Sequence, residues 1–132
     1  MSSVNGNQSS IRHFYDLEIW KEAHRLSIAV YKLSDEFPKK ETYGISDQLR
    51  RSSTSVSANI AEGFGRYHYK DKIKFYYNAR GSICEVQNFI FFAQDIGYLS
   101  RDLAREVFQD YEKLGKMLNI FIKSTQKKIT SD

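Results

Sequence analysis

The chain holds one cysteine, one proline and no apolar run long enough to cross a bilayer. Cys84 has no partner of its kind, so no disulfide forms within the chain, and a reducing compartment is the matching environment. A single proline, Pro38, is too few for a linker-rich protein. The opening "MSSVNGNQSS" has neither the basic region nor the apolar core of a secretory signal. A cytoplasmic location with no membrane association is the expectation.

Chemical motifs are equally sparse. His13, His24 and His68 form no H-E-x-x-H or E-x-x-H pair, and there is no cysteine pair. A di-metal bundle needs several inward carboxylates, and only Glu62 and Glu85 are candidates. No metal and no cofactor is therefore expected. "GFGR" at Gly63–Arg66 lacks phosphate-loop spacing and follows a helical pattern rather than a strand. Cys84 falls mid-helix and reads as a buried, inert thiol. The serines between Ser52 and Ser57 have no nearby histidine in sequence. Catalysis is not expected.

What remains is a helical pattern in a chain of 132 residues, 41% hydrophobic and 14% aromatic, which suits one domain. Residues 1–13 read as a polar tail and residues 14–130 as the folded domain. Leu17, Trp20, Ala23, Ser27, Val30, Tyr31, Ser34 and Phe37 recur at intervals of three and four. They predict a helix from Tyr15 or Asp16 to Glu36, ended by Pro38. Thr42 or Ser46 could cap a second helix, whose inner face includes Ile45, Leu49, Ser52, Val56, Asn59 or Ile60, and Gly63. Its segment "RRSSTSVSA" has poor helix propensity, but small residues suit a close helix contact. Gly63 and Gly65 read as its stop. A third helix is expected from His68–Asp71 to about Ile96, broken at Gly97. A fourth begins behind a Ser100 cap and reaches about Ile129. Four long helices with short links predict an all-α, antiparallel up-down-up-down four-helix bundle.

Two polar sets stand out. Asn59, Glu62, Arg80, Ser82 and Glu85 could form a structural network between the second and third helices, with Asn59 and Arg80 meeting a glutamate, since buried polar groups need partners. The net charge of +4 is also uneven. Lys39 to Arg80 holds nine basic and four acidic residues. Within it, Arg50, Arg51, Arg66, Lys70, Lys72 and Lys74 are candidate phosphate contacts, with Tyr67, His68 and Tyr69 interleaved. No helix-turn-helix, zinc-finger or RRM signature accompanies them, so any such binding would be largely independent of sequence.

The chain resembles the 23S rRNA intervening sequence proteins, small bacterial four-helix bundles, over about Phe14 to Leu103. The matching features include Trp20, Ala23, Tyr31, Phe37-Pro38, Glu41, Tyr43-Gly44, Gln48-Leu49-Arg50-Arg51 and Ser55. "ANIAEG" from Ala58 to Gly63 continues them, with Arg66, Ala79, Gly81-Ser82 and Glu85. Departures are His68 in the turn, Asp71-Lys72 in place of an acidic-aromatic pair, and Ser52-Ser53 where a smaller residue is common. The resemblance implies a homopentamer, a ring or barrel of bundles, with no known enzymatic activity. More distantly the chain is similar to the accessory protein of diversity-generating retroelements, which implies RNA or DNA and a reverse transcriptase as partners.

Two functions therefore stand side by side: a nucleic-acid-binding oligomer, and a structural or protein-interaction scaffold. A continuous face of the six basic residues favours the first. Scatter, or pairing with acids across subunit interfaces, favours the second.

Overall fold

A computed structural model describes residues 10–131. Its four long helices are α1 (Glu18–Ser34), α2 (Ile45–Phe64), α3 (Tyr69–Asp95) and α4 (Arg101–Lys128), with short 3-10 turns at Phe14–Asp16, Lys39–Glu41 and Ile129–Ser131. No strand occurs among the described residues. Side-chain pairs give the directions. Ser34 meets Arg50 and Ser27 meets Ser53, so α1 and α2 run oppositely. Ser55 meets Ser82 while Gly63 packs on Tyr76, so α2 and α3 do too. Arg80 reaches Asn119 and Gln87 reaches Glu112, which reverses α4 against α3. The fold is the all-α up-down-up-down bundle that the periodicity predicts.

Local chemistry explains the ends that differ. The Asp16 carboxylate accepts the backbone N–H groups of Arg12 and His13, both at 3.0 Å, and these bonds hold its pKa below the usual range. That fixes residues 14–16 as a separate turn, and extended Leu17 starts α1 later than Asp16. At the other end, Asp35, Glu36 and Phe37 donate to carbonyls three residues back, a tightened turn ahead of Pro38. Neither Thr42 nor Ser46 caps α2. Gly44 occupies the N-cap, and the Thr42 hydroxyl donates to Lys39 O at 2.7 Å. Ser100 does cap α4, accepting from Leu103 N at 3.2 Å. Gly97, at φ 85°, ends α3 in a Schellman motif: Tyr98 N donates to Ala93 O and Gly97 N to Gln94 O.

The core runs along the axis through Ala23, Val30, Leu49, Val56, Ile60, Tyr76, Ala79, Val86, Leu114 and Leu118. The weak helix formers of α2 are accommodated by their own helix: buried Ser52 and Ser53 donate to Leu49 O and Arg50 O. Small side chains let α3 approach, and α2–α3 is the most extensive pairing in the bundle. Of the two readings of Gly63, the face position holds and the stop does not: it is part of this seam. It lies inside α2, and a Cβ there would sit 2.6 Å from Tyr76 Cε1 and 3.0 Å from Phe75 Cβ. Cys84 is exposed rather than buried, because Ile83 and Val86 take the inward positions beside it.

Gly63→Ala should destabilise the fold by about 1–3 kcal/mol through overpacking. Gly115→Ala, where a Cβ meets nothing within 4 Å, should stabilise it by about 0.5–1 kcal/mol. Urea melts of both variants check the contrast; equal effects would refute the seam. Tyr111 Oη is fully buried, and although the Ser53 hydroxyl is near enough to temper the rise in its pKa, no bond of good geometry forms. Tyr111→Phe should therefore cost less than about 1 kcal/mol or stabilise; a loss well above that would reveal a satisfied hydroxyl.

Candidate nucleic-acid interface

The six basic residues singled out from sequence do not form one face. α2 separates Arg50 from Arg66 by about 24 Å at the helical rise. Arg50 is committed to the α1–α2 corner. Its Nε donates to Ser34 Oγ at 2.7 Å, and its Nη2 donates to Tyr31 O at 3.2 Å and Asp35 Oδ1 at 3.0 Å. The guanidinium lies 4.0 Å from the Tyr31 ring centroid, and the side chain is only 22% exposed. Tyr31 is thus an outer residue held under Arg50 instead of an inward one. Arg51 pairs with Asp47 at 2.9 Å on the solvent face.

The other four share the opposite end of the bundle. Arg66 bonds Glu62 at 3.0 Å, and its guanidinium stands 4.6 Å from the Phe75 ring centroid. Lys70 and Lys74 are exposed on the first turns of α3. Lys72 is half-buried and donates to Phe64 O, the last carbonyl of α2, at 2.7 Å. Burial lowers its pKa, and the nearby Lys128 ammonium lowers it further. Tyr67 is 87% exposed and meets His68 edge-on at 4.8 Å, which leaves two rings open to solvent at the corner.

Antiparallel packing adds three cations that sequence order kept apart. Gln126 Nε2 donates to Tyr77 Oη at 3.0 Å, and Lys128 Nζ lies 5.7 Å from the Tyr69 ring centroid. This register brings Lys123, Lys127 and Lys128 of α4 level with the first turns of α3. The signal was present in the sequence: after Glu112 the described part of α4 carries lysines and no acid. The basic end therefore comprises Arg66, Lys70, Lys72 and Lys74 with these three lysines, opposed by Glu62 and Asp71 and by Asp16 and Glu18, which the start of α1 brings to the same end.

The expected polar network is only partly assembled. Asn59 Nδ2 donates to Ser55 O at 2.8 Å and Ser55 Oγ at 3.0 Å, and Ser55 Oγ lies 2.9 Å from Ser82 Oγ. Arg80 does not join it. Its Nη1 donates to Asn119 Oδ1 on α4 at 3.2 Å, and the guanidinium stacks over Tyr77 at 5.1 Å. Glu62 pairs with Arg66, and Glu85 is exposed. Arg80 stands two residues before Ser82, roughly 200° around the helix, so the two cannot face one neighbour.

No group of three or more metal-ligating side chains occurs among the described residues, and no described helix is long and apolar enough to cross a membrane. The molecule is a small antiparallel four-helix bundle with one cationic end. The profile of the 23S rRNA-intervening sequence proteins matches residues 15–120, and the chain belongs to that family. It is similar in fold to a protein of unknown function from the S23 ribosomal protein family of Bacteroides thetaiotaomicron, with 21% identity and a TM-score of 0.71. That match covers 80% of this chain and 98% of the other. No curated protein sequence matches the chain.

Arg50→Lys should destabilise the bundle by about 1–3 kcal/mol, because an ammonium cannot reproduce the planar fork that joins Ser34, Tyr31 and Asp35. A thermal melt checks it, and a lysine variant as stable as the parent would show that the charge alone matters.

Proposed function

We propose that the protein is a non-enzymatic homo-oligomeric bundle, a pentamer by family resemblance, which binds RNA or DNA through the phosphate backbone without sequence preference. The observation that carries this is the convergence of Arg66, Lys70, Lys72 and Lys74 with Lys123, Lys127 and Lys128 at one end. A local excess of cations attracts a polyanion by counterion release, and exposed Tyr67 and His68 supply rings for stacking. Arg50 and Arg51 are left out of the interface, since each is held by an acid at the far end. The oligomer would use α3, where Phe91, Phe92 and Ile96 are 52%, 54% and 43% exposed in the single chain. Such outward apolar side chains favour a covered surface.

A scaffold function without nucleic acid is the second reading. It is favoured by the ion pairs of Arg50, Arg51 and Arg66, which remove part of the cationic field.

Binding of the purified oligomer to single strands over a salt series separates the two. Log affinity should fall linearly with log salt, with a slope of about 0.7 per phosphate contact on a single strand. Arg66→Glu with Lys70→Glu should weaken binding by about tenfold or more at low salt. Absence of binding at low salt would remove the nucleic-acid reading and leave the scaffold.

A further inference from the structure

The basic end is not a smooth surface. The end of α2, the start of α3 and the last turns of α4, with Ile11 and Leu17 ahead of α1, line an open cleft of about 270 Å³. The aromatic lining of its floor is Phe64 and Phe121, both half-buried, with the buried Tyr76 ring edge-on behind Phe121 at 4.8 Å. Its rim carries the ammonium groups of Lys72 and Lys128 beside Tyr69. Lys72 is anchored on Phe64 O at 2.7 Å, and the cation of Lys128 acts on it directly enough to disfavour its charge. Among the described residues neither lysine forms an ion pair with an acid.

Two like charges facing one half-enclosed, low-dielectric opening repel each other, and an anion between them relieves that repulsion. The floor sets a second requirement. A bare anion would leave the aromatic surface wetted, whereas a ligand with a flat ring attached to its anionic group would cover it. A nucleotide unit has both parts in the needed order, a π-faced base and a phosphate one sugar away.

We propose that this cleft takes one unpaired nucleotide of a single strand, its base against Phe64 and Phe121 and its phosphate between Lys72 and Lys128. This rests on the reading of the basic end as a nucleic-acid surface and adds a discrimination to it. A base held in a duplex cannot enter the cleft without unstacking, so single strands and frayed ends are preferred over duplexes of equal length.

The test uses the purified protein and five probes: a nucleoside monophosphate, its nucleoside, inorganic phosphate, and matched single-stranded and duplex oligonucleotides. The monophosphate should bind saturably and compete with the single strand, while the nucleoside and phosphate bind at least about tenfold more weakly. Lys128→Gln at the exposed rim and Ser124→Phe, which fills the cleft from α4, should each weaken the monophosphate about tenfold. Ser124→Phe should also abolish the preference for single strands. Lys74→Gln, outside the cleft, should weaken both oligonucleotides alike and leave the monophosphate unchanged. Phosphate competing as well as the monophosphate would overturn the proposal in favour of a simple anion site. So would single-strand binding that persists with no saturable monophosphate binding, an outcome that keeps the broader nucleic-acid reading. Monophosphate binding without oligonucleotide binding would remove the broader reading and leave the cleft as a site for free nucleotides.

Discussion

The close seam between α2 and α3 sets the positions of nearly everything else. Gly63 admits the Tyr76 ring where any side chain would collide, and Ser55 meets Ser82 about two turns further along. Two contacts at a fixed separation leave no freedom to slide one helix past the other. With the register locked, the last carbonyl of α2 falls within reach of Lys72, and the short turn from Gly65 to His68 becomes the only connection needed. The polar residues of "SVSANIAEGFGR" thus act through size and hydrogen bonding rather than through reactivity. Asn59 returns its amide to Ser55 on the same helix, holding the hydroxyl that bridges to α3.

A second device recurs at the corners. The final carbonyls of a helix lack partners within it, and a cation placed there also answers the negative end of the helix dipole. Arg50, from α2, reaches back to Tyr31 O and to the Ser34 hydroxyl at the end of α1. Lys72, from α3, reaches back to Phe64 O at the end of α2. At the third corner Gly97 takes over, and the backbone closes on itself without a side chain. The cationic field is therefore partly structural. Arg50 is used entirely in this way, whereas Lys72 bonds a carbonyl that leaves its positive charge unneutralised.

That distinction marks how far the sequence was legible. Element positions followed from periodicity, and the Ser100 cap and the Gly97 break followed from local chemistry, because both depend on neighbours in sequence. The polar network did not follow. Placing Asn59 opposite Arg80 requires a register and a rotation that a linear pattern does not contain, and the rotation set by Ser82 turns Arg80 to α4. Glycine was ambiguous for the same reason: Gly63 reads both as a face position and, beside Gly65, as termination, and the Tyr76 ring against it decides for the first. Cys84 was misplaced because the third helix is apolar on several sides, and only the packing decides which of them turns inward.

The basic end shows the same limit with the opposite consequence. Lys123, Lys127 and Lys128 lie some fifty residues from Arg66 to Lys74 in sequence, and a charge count along the chain gives the segment from residue 81 onward no net excess. Folding undoes that neutrality. The acids of α4 cluster towards its first half, with Asp102, Glu106, Asp110 and Glu112, while its lysines gather at the other end. Reversal of α4 against α3 then carries the lysines to the cationic start of α3 and the acids away from it. A segment neutral in sum becomes a contributor to one pole of the bundle. The field at that pole arises from topology as much as from composition, and there an excess of cations meets a cleft lined by aromatic rings.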